Sequence, residues 1–238
     1  MNLKNFGINV RNFSFISVFR EKYHFIHIGK TGGSAIRHNL IKFNSNQNKL
    51  YFFYYGHSFK AFELKNNQNY FFCIRNPIQR FVSGFYSRQR MGRPWSNKSK
   101  WSHDEEKAFT KFKNINHLAE SLYSNDFLLK LDAENAMNSI KHLKDNYNTW
   151  FDIKFLEQNK PFFVLETENL DNDFENFCKK LNLKHFNLPK DTITIHKNDY
   201  SNTPNLSNLS IINLTKWYKE DISIYNYILC NKSSFNSY

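Results

Sequence analysis

The sequence predicts an α/β fold in three layers, with a central, mainly parallel sheet flanked by helices. Three observations predict it. Tyr23–Ile28 is a short aromatic and β-branched run that stops at a glycine cluster and gives way to helical spacing. Tyr70–Ile74 is a second such run, followed by a proline and another helical repeat. Pro161–Glu166 is a third, again with a helix after it. Strand followed by helix, repeated along the chain, is the pattern of parallel strands joined by crossovers. With 238 residues, no internal repeat and no interdomain linker, residues 1–238 read as a single domain with room for a substantial core.

The first element carries the most chemistry. After the strand at 23–28, Gly29-Lys30-Thr31-Gly32-Gly33 breaks the run, and Ser34, Ala35, Ile36, Leu40 and Ile41 open an amphipathic helix. This order points several backbone N–H groups and the positive end of a helix dipole at one spot. Lys30 adds a full charge, and Thr31 and Ser34 add hydroxyls. Together these groups suit a phosphate-like anion. A nucleoside-triphosphate loop needs a glycine five residues before Gly29-Lys30-Thr31, and that position is His24.

Leu50–Tyr55 reads as the next buried strand and ends at Gly56-His57-Ser58, which places His57 at a strand's carboxyl end. In open parallel sheets that is where ligands bind. The strand at 70–74 leads into Arg75-Asn76-Pro77, with proline in the first turn of a helix. Ile78, Phe81, Val82, Phe85 and Tyr86 form that helix's apolar face, while Arg80, Ser83 and Ser87 share another. An arginine at the strand end and a serine two turns on, Arg75 and Ser83, suit one dianionic phosphate.

Arg88–Asp104 is a basic loop with Gly92 and Pro94 that displays Trp95 and Trp101. It reads either as an acceptor-binding lid, with indole faces for sugar rings and cations such as Arg93 for acidic groups, or as a solvated loop whose tryptophans fold onto the core. Asp104 to about Asn148 is helical, with Phe109, Phe112, Ile115, Leu118 and Leu122 inward. Residues 88–148 are thus expected to form an insertion covering the acceptor site. The strand ending at Glu166 leads into a helix with Phe174, Phe177, Cys178 and Leu181 inward. Its acidic first turn suits the helix dipole. His196-Lys197-Asn198 lies in a polar loop, and from Ser207 a last helix carries Ile211, Leu214, Tyr218, Ile222 and Tyr225 on one face.

Lys30-Thr31-Gly32-Gly33-Ser34 after an apolar strand resembles the 5′-phosphosulfate loop of sulfotransferases that use 3′-phosphoadenosine-5′-phosphosulfate (PAPS). Gly29 stands where that family commonly has proline, and Ala35 where it commonly has serine. Arg75 to Ser83 is similar to the same family's 3′-phosphate motif, and Glu166–Leu170 to its turn after the late strand. The resemblance implies a P-loop-like fold and a carbohydrate-type, PAPS-dependent sulfotransferase. It also implies that Lys30, Thr31, Gly32, Gly33, Ser34, Arg75, Ser83 and Lys197 contact the donor, and that Lys30 and His57 act in catalysis, His57 as the base. Arg93, Trp95 and Trp101 would contact the acceptor.

Composition agrees and leaves alternatives. The net charge of +12 favours anionic partners, here a nucleotide donor and a carbohydrate or other hydroxyl acceptor, itself acidic. A small-molecule or nucleotide kinase, or a basic module for nucleic acid or acidic glycan, would use the same charge, but neither needs Arg75 with Ser83. Nucleic acid is not expected, since no zinc-finger or RNA-recognition signature is present. Cys73, Cys178 and Cys230 lie in apolar surroundings without paired spacing and read as buried hydrophobes. No metal site is expected. Residues 1–20 form an N-terminal extension whose apolar patch is too short to span a membrane, so a cytoplasmic location is expected.

Overall fold

The computed structural model describes residues 20–46, 49–65, 67–93, 99–184, 187–189 and 205–237. The expectations placed on Trp95, His196, Lys197 and the N-terminal extension up to residue 19 lie outside these. The described residues pack as two compact units, one from within 1–75, 148–196 and 226–238, the other from within 76–147 and 197–225.

The first unit holds the sheet. Its strands are β1 (Glu21–Ile26), β2 (Leu50–Tyr54), β3 (Asn69–Ile74) and β4 (Phe163–Glu166), in the order β2-β1-β3-β4. All three pairings are parallel, with Tyr23 beside Phe52, Phe25 beside Phe71 and Cys73 beside Leu165. The expected sheet is therefore present, its strand ends shifted by a residue or two. From β1 the chain crosses to β2 on one side, then returns to β3 on the other. The carboxyl ends of β1 and β3 thus flank a topological switch point.

Successive strand residues face opposite ways, and aromatic rings fill both faces. On one face Phe25, Phe52, Phe71 and Phe163 pack against Ile36, Leu40 and Phe43 of α1 (Gly33–Asn46). On the other, Phe72 meets Phe151 at 4.5 Å with tilted rings and Tyr70 meets Phe155 at 6.0 Å. Each fully buried ring contributes roughly 1.5–3 kcal/mol.

On each outer strand of the described sheet, one residue has its edge-facing N–H and C=O both paired with an asparagine. Asn44 on α1 accepts from the Phe52 N–H at 2.8 Å and donates to the Phe52 carbonyl at 2.9 Å. Asn236 does the same for Val164, at 2.8 and 3.0 Å.

The second unit is helical. Asn76 caps α2 (Pro77–Gln89), accepting from the N–H groups of Ile78 and Gln79, with Pro77 at its first position. Then follow α3 (His103–Lys111), α4 (Ile115–Ser121) and α5 (Phe127–Ser139). The expected inward stripe, Phe109, Phe112, Ile115, Leu118 and Leu122, is buried with Phe81 and Phe85. The first unit adds α6 (Ile153–Gln158) and α7 (Leu170–Lys180), the latter burying Phe174, Phe177 and Cys178.

The single last helix expected from Ser207 is two, α8 (Asn208–Trp217) and α9 (Lys219–Asn236), which break at Tyr218. Ile211 is exposed, not inward. The buried positions of α8 are Ser210, Asn213 and Leu214, because Asn213 donates to the carbonyls of Ala119 and Glu120 and Ser210 donates to Asn116. A polar inner face satisfied by α4 hides the helix's true orientation from an apolar-stripe reading. Cys230 is likewise exposed, unlike the buried Cys73 and Cys178, because it falls on the outer side of α9.

Candidate active site

The strand β1 ends at Ile26, and the loop from His27 carries the chain over the switch point into α1. Lys30 has φ +70° and Gly32 φ +82°, while Thr31 between them keeps a negative φ. That alternation of hand turns successive N–H groups toward one side, a concavity that suits an anion. A β-carbon at position 32 would also come within 2.9 Å of Leu170 Cδ2, so glycine answers both conformation and space there. Thr31 is fully buried, and its hydroxyl donates to the Ile28 carbonyl at 3.0 Å. Its side chain therefore closes the loop, contrary to its expected use as an outward donor, and its backbone N–H is what it offers. Ser34 is half-buried in the first turn of α1, a turn without an acidic residue to neutralise the dipole.

Across the switch point, Arg75 follows β3. Its Nη1 donates to the Lys30 carbonyl at 3.5 Å, and its Nε lies 3.8 Å from Glu168 Oε1. Glu168 is placed by the short 3-10 turn Thr167–Asn169, which Thr167 fastens by donating to the Ile74 carbonyl at 2.9 Å. Glu166 is committed elsewhere. Its carboxylate and that of Asp173 both accept from Lys232, at 3.2 and 2.6 Å, which makes it a structural anchor for α9.

His57 is half-buried past the end of β2. Its carbonyl accepts from Trp150 Nε1 at 2.9 Å, and its Nδ1 lies 2.9 Å from the His27 carbonyl. A carbonyl only accepts, so Nδ1 carries the proton and the basic lone pair of neutral His57 sits on Nε2. The His27 and His57 rings are 4.2 Å apart. His27 is held down to about 3, first by burial and then by the neighbouring His57 and Arg37. It is neutral near pH 7 and unsuited to act as the base.

The structure thus brings Lys30 to Ser34, Arg75 and His57 to the carboxyl ends of neighbouring strands in one unit. The remaining expectations fall in the helical unit. Ser83 is buried on α2. Arg80, on the same helix, is buried as well. It faces Asp221 at 3.7 Å and donates to the Asp145 carbonyl at 2.6 Å, so its charge serves the fold. Trp101 is not displayed: its indole N–H donates to the Arg88 carbonyl at 2.6 Å and its ring stacks on Phe109 at 5.1 Å. The solvated-loop alternative, with the tryptophan folded back, describes it. Arg88 is buried in a two-pronged pair with Glu105, at 2.7 and 2.6 Å. Arg93 is exposed. Sequence reasoning passed over Glu168 as an arginine partner, for which an acidic residue two positions past a strand end was the signal; it named His27 only as an alternative base near a loop end.

A family model described as the sulfotransferase family matches residues 15–228. No curated protein matches the chain.

Proposed function

The chain belongs to the sulfotransferase family, an enzyme family that transfers sulfate, and from that premise we propose that it moves a sulfuryl group from PAPS to a hydroxyl, that of a carbohydrate. The observation that carries the donor assignment is the loop at Lys30–Gly33, whose left-handed residues and unneutralised helix start lie against Arg75 at the switch point.

The residues present fit such a donor. The N–H groups of Thr31 to Gly33, with Ser34, would hold the 5′-phosphosulfate. Lys30 would neutralise charge that builds on the departing phosphate, an electrostatic contribution made mainly in the transition state. Arg75 would read the 3′-phosphate, and the Arg75-to-Ser83 spacing in the sequence supports including Ser83. The donor, when bound, supplies an activated sulfuryl group, and transfer is an in-line displacement in which positioning and charge do most of the work. His57 would take the acceptor's proton on Nε2, the nitrogen its tautomer leaves basic. Lys197 would contact the donor, and Arg93 offers an exposed cation to an acidic acceptor.

Calorimetry with adenosine 3′,5′-bisphosphate and with ATP tests the donor, and incubation with PAPS and a panel of neutral and acidic glycans tests the acceptor. Tighter binding of ATP than of the bisphosphate would overturn the assignment.

A further inference from the structure

We propose that the side chain of His27 is a positioning residue for His57, its ring wedged between the anion loop and the His57 imidazole so that His57 keeps the orientation in which Nδ1 donates and Nε2 stays basic. This rests on the reading of His57 as the base.

Three contacts hold the wedge. A β-carbon at Gly33 would fall 2.2 Å from both Cδ2 and Nε2 of His27, so the ring lies directly on the loop backbone, where only glycine leaves space. On another side the ring meets His57 at 4.2 Å. Phe25 stacks on the His27 ring at 5.5 Å. The two histidines are linked twice, by the contact of their rings and by the bond from His57 Nδ1 to the His27 carbonyl. Being neutral, His27 neither repels an imidazolium at His57 nor competes for the acceptor's proton. Removing its ring would leave the carbonyl at 27 in place but free the His57 imidazole to turn. A free imidazole favours the proton on Nε2, the form that cannot act as base there.

The test uses the full chain and nitrogen-resolved NMR of the imidazoles near neutral pH, with adenosine 3′,5′-bisphosphate affinity measured alongside. Wild-type His57 is expected in the Nδ1–H form. His27→Ala and His27→Asn should shift it toward Nε2–H, the asparagine retaining a polar side chain but no ring. His27→Phe, which restores a ring, should return the Nδ1–H form. An unchanged His57 tautomer in the Asn variant would overturn the proposal. So would a protein that folds only with histidine at this position, since that assigns His27 to stability alone. If the wild type does not bind the bisphosphate, the donor reading falls, while the tautomer result still decides the role of His27.

Discussion

Arg75 Nη1 donates to the main-chain carbonyl of Lys30 at 3.5 Å, joining the loop after β1 to the end of β3. The same guanidinium faces Glu168. An arginine so placed has charge to give a ligand phosphate and a carboxylate to exchange for it. Arg75→Ala should weaken adenosine 3′,5′-bisphosphate binding by about 1.5–3 kcal/mol, the range of a charge-assisted hydrogen bond. Adenosine 5′-phosphate should lose much less. Equal losses in calorimetry would mean that Arg75 supports the loop without reading the 3′-phosphate.

Lys30 combines a charge with a left-handed backbone. Lys30→Ala and Lys30→Gly should impair transfer from PAPS alike, since both remove the ammonium. They should differ in stability, the glycine variant being firmer by about 1 kcal/mol because φ +70° strains any residue with a β-carbon. Denaturant midpoints decide this, and an alanine variant as stable as the glycine one would refute the strain.

His57→Ala should lower turnover by roughly 10²–10⁴-fold, the contribution of a general base. Bisphosphate affinity should hardly move, because the anion loop is built from other residues. Turnover near that of the wild type on an accepted glycan would assign the base elsewhere.

The Arg88–Glu105 pair is buried, and Glu105 also accepts from the N–H groups of Ser102 and Lys141. Arg88→Met leaves that carboxylate without its countercharge and should cost about 3–5 kcal/mol. The double change with Glu105→Leu should recover much of the loss. A double variant no better than the single one would show that the pair contributes more than charge balance.

His24 lies buried in β1 with Nδ1 2.7 Å from the Tyr55 hydroxyl, and burial, helped by Lys22, lowers it from 6.5 to about 4. With the folded value depressed, the unfolded chain takes up the proton first as pH falls. Stability is full above 6.5 and declines toward about 4, by an amount on the order of 3 kcal/mol. Unfolding measured above and inside this window should show the decline, and His24→Phe should flatten it. An undiminished slope in that variant would place the acid sensitivity elsewhere.

The strands were legible because β1, β2 and β3 are short runs rich in aromatic rings and β4 is a short apolar run, a pattern that turns and surface helices do not produce. The anion loop was legible because its glycines, lysine and helix start are contiguous. Trp101 was not, since an indole in a basic loop fits a sugar or a core equally well until its N–H is seen on the Arg88 carbonyl. Ile211 misled because the inner face of α8 is polar and paid for by partners about ninety positions away. The wedge at His27 depends on a turn that returns Gly33 onto a ring six residues earlier, a closeness that sequence order conceals.

The asparagines at Phe52 and Val164 bear on how this chain behaves in company. The outer strand of a sheet, with hydrogen-bonding groups facing water, is a template onto which another molecule's strand can add. In β2 and β4 those strands are also aromatic and strongly apolar, the composition most prone to stacking between molecules. Here each edge meets a carboxamide that imitates one peptide unit of a neighbouring strand and has no further edge to offer. On each side a single side chain occupies edge groups that another molecule's strand would otherwise use. Replacing Asn44 or Asn236 by alanine would be felt first as aggregation during expression and concentration, before any change in catalysis.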